Sequence, residues 1–115
     1  MLLKGAKSEI DVKVTAEVEI DNGKTMRVPF VCRYRKLPVN EARDLLERVA
    51  SEGIGDEDLM RDHLVDWKGL EDADGDTVEF NADNLETVMQ VREYRQAIVG
   101  GFMQVLMGRK ALEKN

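Results

Sequence analysis

The sequence predicts an α+β domain in which a long N-terminal β-hairpin packs on about three α-helices, the last of them the longest. Two patterns lead to this prediction: apolar and polar residues alternate over 8–35, and apolar residues recur at helical spacing over much of 40–115. A chain of 115 residues fits a single domain, which we assign to 1–115. Hydrophobic residues make up 43% of the chain, which is sufficient for one apolar core.

The hairpin is the clearest element. Even-numbered positions from Ile10 to Ile20 are apolar and the odd positions between them are polar, as in a strand with one buried face. Asn22-Gly23 supplies the positive φ angles of a tight turn, and the alternation resumes from Met26 to Tyr34. Pro29 cannot donate a ladder hydrogen bond, so we expect the second strand to be an edge at that point.

The apolar face of the hairpin needs a cover, and the sequence predicts helices for this role. We expect Asn40 to cap the first helix and Gly53 to end it in a left-handed conformation. Asp56 then caps a second helix. The first helix carries its apolar residues at helical spacing: Ala42, Leu45, Leu46 and Val49.

Two interpretations of the next segment stay open. The second helix would keep its apolar residues on one face if it continued through Trp67, but residues 66–70 could equally begin a strand. In the second case, the polar turn around Asp74-Gly75 favours a short second hairpin over about 66–80. Asn81 is predicted to cap a further helix.

A long final helix is predicted from about Arg92 to Leu112, and it is the most informative element. From Ala97 to Gly108 only Gln104 is polar. A helix on the surface of a small domain needs an apolar stripe only about 100° wide. The surplus apolar surface must therefore be buried against something, although the stretch is shorter than the ~20 residues of a membrane span.

Two compatible accounts of this surplus stay open. In the first, the helix is central and is covered by the hairpin and the other helices. In the second, one face binds a client segment or a second copy of the chain, and flexible methionines suit such varied surfaces. The candidate contact residues for the second account are Tyr94, Ile98, Val99, Phe102, Met103, Leu106 and Met107. Replacing Phe102 and Met103 by aspartate is then expected to abolish binding.

No residue pattern indicates catalysis, a cofactor or a metal, so we expect a protein that is not an enzyme. His63 is the only histidine and is interpreted as a half-exposed helix residue, while Cys32 is interpreted as a small buried hydrophobe. The acidic stretch Asp72–Asp76 fails as a calcium loop, because its sixth and twelfth positions are Thr77 and Asp83 where Gly and Glu are required.

Charge and cysteine content bear on partners and compartment. The formal net charge of −6 disfavours nucleic acid as a partner. The N-terminus shows no signal peptide, and a single cysteine allows no disulfide within the chain. We therefore expect a protein of a reducing cytoplasm.

Several stretches taken together resemble the small tail assembly chaperones of long-tailed bacteriophages and prophages. Their order along most of the chain carries the resemblance more than any one of them. They are the acidic hairpin leading into 28–38, the segment 64–70 followed by 72–75 and 78–80, Asn84-Leu85, the final helix with Ala97-Ile98 and Phe102, and the small and basic end 108–115.

This resemblance implies a function directly. Proteins of this family bind the tape measure protein in the host cytoplasm while the tail tube polymerises around it, some recruit tail tube subunits, and they are absent from the mature virion. Many occur with a second form extended by a ribosomal frameshift, and self-association is a further expectation. The alternative is a minor structural or adaptor tail protein that stays in the virion.

Overall fold

The computed structural model describes residues 1 and 3–108. Within them it contains strands β1 (Glu9–Glu19), β2 (Thr25–Arg35) and β3 (Leu64–Lys68), and helices α1 (Val39–Glu52), α2 (Asp56–His63), α3 (Ala82–Met89) and α4 (Arg92–Met107). The strands form an antiparallel sheet in the order β1-β2-β3. The predicted α+β class, with its long hairpin and long last helix, is confirmed; the predicted residues 109–112 of that helix lie outside the described residues.

The register of the hairpin explains how a proline fits into it. The backbone N–H of Ile20 donates to the carbonyl of Lys24, and hydrogen-bonded pairs alternate with non-hydrogen-bonded pairs along an antiparallel ladder. Pro29 lies opposite Thr15, one of the non-hydrogen-bonded pairs, where β1 requires no donor. Because β3 pairs only with Val31–Tyr34, β2 is an edge at Pro29, as predicted.

Three backbone predictions are confirmed. Asn22 and Gly23 have positive φ angles of 65° and 73° in the hairpin turn. Gly53 is left-handed at the end of α1. The side chain of Asn81 accepts a hydrogen bond of 2.8 Å from the backbone N–H of Asn84 and so caps α3.

Two of the predicted helix caps are wrong by one or two residues. The helix α1 already begins at Val39 with Pro38 at its N-cap, because the fixed φ of proline suits a helix start and its carbonyl accepts from the N–H of Ala42. Asn40 therefore lies inside the first turn. Gly55 occupies the N-cap of α2, and Asp56 is its first residue, where a carboxylate interacts favourably with the helix dipole.

The open segment after α2 is a strand, but it pairs with the first hairpin. The strand β3 continues the sheet beside β2, and the predicted second hairpin is reduced to a single bridge between Glu71 and Thr77. Side-chain contacts pack the residues beyond the bridge against Trp67 of β3. The indole N–H of Trp67 donates to the carbonyl of Val78 at 2.7 Å, and its ring meets Phe80 edge-on at 5.0 Å.

Candidate functional site

The helix α4 packs on the apolar face of the hairpin, and most of its contacts with the sheet are with β1. Its residues Ile98, Phe102 and Leu106 recur every fourth position and form a stripe with exposed fractions of 0%, 0% and 8%. The rings of Tyr34 and His63 lie 5.7 and 4.9 Å from the ring of Phe102. The first account of the apolar surplus, a helix covered by its own subunit, therefore holds for this stripe.

This placement fully buries two of the candidate contact residues. The side chains of Ile98 and Phe102 contribute no accessible area to a partner in this conformation. The substitution of Phe102 and Met103 by aspartate would therefore place a charge in the core, and a loss of binding would report unfolding. The sequence could not separate these residues from contact residues because the stretch 97–108 is apolar nearly all round.

A glycine sets how closely α4 approaches the sheet. A Cβ atom on Gly101 would lie 2.7 Å from Cγ1 of Val14 and would overlap the hydroxyl of Tyr34. That hydroxyl donates a 2.6 Å hydrogen bond to the carbonyl of Ile98, one turn earlier on the helix. Only glycine allows this contact, whereas a Cβ on the preceding Gly100 would meet nothing within 4 Å.

The remaining candidates are distributed along the helix. Val99 and Met103 are half-buried against the core. Tyr94 is also half-buried, packs against Phe30 at 5.7 Å between ring centroids, and lines a separate pocket of about 290 Å³. Met107 is 47% exposed at the other end of α4, about 20 Å from Tyr94 along the helix axis. The seven candidates therefore do not form one surface.

A mainly apolar groove between the start of α1 and the end of α4 includes two of the candidate residues. We call it the α1–α4 groove; its volume is about 450 Å³, within the ~300–1,000 Å³ typical of ligand sites. Leu106 and Met107 line it on the α4 side. Its other apolar lining residues include Leu37, Val39, Ala42, Leu46 and Val105.

Sequence reasoning missed the α1 side of this groove. Val39 is 75% exposed although it is apolar, and it lies on one helix face with Ala42 and Leu46. Their spacing of three and seven positions was the available signal. The prediction of Asn40 as the N-cap excludes Val39 from the helix and so hides this spacing.

The charges around the groove differ from those of the chain. The chain has 23 acidic and 17 basic residues. The lining of the α1–α4 groove, in contrast, contains Lys36 and Arg43 and no carboxylate. Neither cation forms a salt bridge with another of the described residues.

A second exposed apolar patch lies at the opposite end of the sheet. Ile20 and Met26, beside the hairpin turn, are 47% and 52% exposed. The pair Ser8 and Lys36 closes the other end of the hairpin, about 30 Å away, next to the α1–α4 groove. Met26 is therefore a natural control position for any test of Met107.

Cys32 is buried as predicted, with no exposed area. Burial raises the pKa of its thiol to about 12, so very little thiolate is present at neutral pH. We expect no reaction of Cys32 with a disulfide reagent such as DTNB in the folded protein, and full reaction in guanidinium chloride. Rapid labelling without denaturant would contradict the core packing described above.

Within residues 1 and 3–108, no group of three or more His, Cys, Asp or Glu side chains is placed to hold a metal ion. None of the described helices combines the length and the apolar character that a membrane span requires. Comparisons with protein-family models, with curated proteins and with solved structures gave no match.

Proposed function

We propose that this protein is a tail assembly chaperone of a long-tailed phage or prophage, which binds an apolar helical segment of the tape measure protein in the host cytoplasm. The observation that carries the proposal is the α1–α4 groove, an exposed apolar surface on an acidic domain. Exposed apolar grooves of this kind mark sites of protein interaction. The identity of the client rests on the family resemblance of the sequence.

The groove suits the apolar face of a helix. Its walls are the first turns of α1 and the last turns of α4, with Val39 on one side and Met107 on the other. Helix-in-groove recognition inserts side chains spaced three or four positions apart into such a slot. The groove would cover the apolar face of a client helix, and the net charge of −6 would keep the chaperone soluble.

Recruitment of tail tube subunits, self-association and a frameshift-extended form are further parts of the proposal that follow from the same resemblance. They place no additional demand on the α1–α4 groove. The alternative role, a minor structural or adaptor tail protein, makes an opposite prediction about the finished particle. Mass spectrometry of purified virions is expected to find no copies of this protein, and stoichiometric copies would favour the adaptor.

The groove is tested by co-expression with the tape measure protein. We expect Val39→Asp and Met107→Asp each to shift most of the client into the insoluble fraction, because a charge on either wall must be desolvated on binding. Both positions are exposed, so both variants are expected to fold. Met26→Asp, at the far end of the hairpin, is the matched control and should keep the client soluble. Equal solubility with all three variants would contradict the assignment.

A further inference from the structure

We infer that the α1–α4 groove selects an amphipathic helix whose apolar face is flanked by acidic residues. The inference rests on the proposed function and adds a charge preference to it. Its basis is the presence of Lys36 and Arg43, and of no carboxylate, in the lining of the groove. On a chain with 23 acidic residues, this local composition is the reverse of the general one.

The two cations stand where flanking charges of a bound helix would meet them. Arg43 is one turn along α1 from Val39, and Lys36 precedes Leu37 at the exit from β2, so both border the apolar part of the groove. The dipoles of the two helices act against each other here, because α1 begins and α4 ends at the groove. Among the described residues, Lys36 and Arg43 are the only full charges in the lining of the groove itself.

A bound acidic helix would also provide Lys36 and Arg43 with ion-pair partners. Both residues are exposed, and neither is in a salt bridge with another described residue. A helix that seats its apolar side chains between Val39 and Met107 excludes water from the groove and lowers the local dielectric. A carboxylate beside the apolar face then pairs with Lys36 or Arg43 more strongly than at an open surface.

The test uses two fluorescent synthetic helices with the same leucine face, one flanked by glutamates and the other by lysines. The net charge of the protein by itself favours the lysine peptide. We expect the opposite: fluorescence anisotropy should give the glutamate peptide a Kd at least about fivefold lower at low salt, since two ion pairs at an open surface would already have this effect. At about 1 M salt this preference should largely disappear.

A charge reversal in the groove provides the decisive variant. Lys36→Glu combined with Arg43→Glu is expected to abolish or reverse the preference. The matched control, Lys24→Glu combined with Arg27→Glu at the hairpin turn, changes the net charge equally and should leave the preference intact. Both pairs of positions are exposed, so neither variant should unfold the domain.

Each other outcome overturns the inference in a recognisable way. If both peptides bind equally and Val39→Asp abolishes the binding of both, the groove is still a binding site for helices, but the inferred charge preference is wrong. If neither peptide binds, both fall. If binding appears only after residues 109–115 are removed, the occupant is the chain's own segment, and if Met107→Asp instead dissociates a dimer, the occupant is a second copy.

Discussion

Replacing Phe102 by alanine is expected to lower the free energy of unfolding by about 3–5 kcal/mol, the range for large aromatic residues in well-packed cores. The side chain has no exposed area and lies between the rings of Tyr34 and His63. Because small domains are stable by only about 5–15 kcal/mol, this change alone brings the protein close to unfolding. Urea denaturation followed by the fluorescence of Trp67, the only tryptophan, measures the effect.

The matched control is Met107→Ala on the same helix. Met107 is 47% exposed, so its truncation is expected to change the free energy of unfolding by no more than about 0.5 kcal/mol. A small effect at Phe102 together with a large effect at Met107 would contradict the description of α4. It would restore Phe102 to the candidate contact surface.

The adjacent glycines of α4 should respond in opposite directions to the same substitution. Gly101→Ala is expected to lower the free energy of unfolding by about 1–3 kcal/mol, since its methyl group overlaps Val14 and Tyr34 and must push the helix from the sheet. Gly100→Ala is expected to raise it by about 0.5–1 kcal/mol, because alanine favours the helix and meets no neighbour there.

Thermal and urea denaturation of the two variants side by side measure this difference. Both glycines lie in the interior of α4, so the gain in helix propensity on substitution by alanine is the same at the two positions. Only the space above each residue differs. A similar shift for both variants, in either direction, would contradict the close approach of α4 to β1 and β2.

The parts of the fold that local patterns determine could be predicted from the sequence. Alternation over the hairpin gives its two strands, and Asn22-Gly23 gives its turn. Gly53 and Asn81 mark a helix end and a helix start for local reasons, a left-handed φ angle and a side-chain cap. Each of these signals needs only a few neighbouring residues.

Local patterns do not determine the strand β3, because its formation depends on tertiary contacts with β2. The apolar residues Leu64 and Trp67 fit helical spacing after Met60, yet the chain leaves the helix at His63 and pairs with the open half of β2. In the segment after β3, the carbonyl of Val78 accepts a hydrogen bond from the indole N–H of Trp67, and the ring of Phe80 packs edge-on against the same indole. Only the position of β2 makes this arrangement favourable.

The candidate site was predicted only in part, for a related reason. A helix that is apolar nearly all round does not reveal which of its faces the sheet and the other helices cover. The stripe of Ile98 and Phe102 faces the sheet, and the exposed end at Met107 joins a wall from α1 that lies far away in the sequence. Such a groove exists only after α1 and α4 have packed together.

The claim that the α1–α4 groove binds the client is tested most directly by NMR of methyl-labelled methionines. We expect the methyl signal of Met107 to shift in a saturable manner as an apolar helical segment of the tape measure protein is added. The signal of Met26, equally exposed at the hairpin turn, and that of the fully buried Met60 should stay unchanged. Shifts at Met26 without shifts at Met107 would contradict the account.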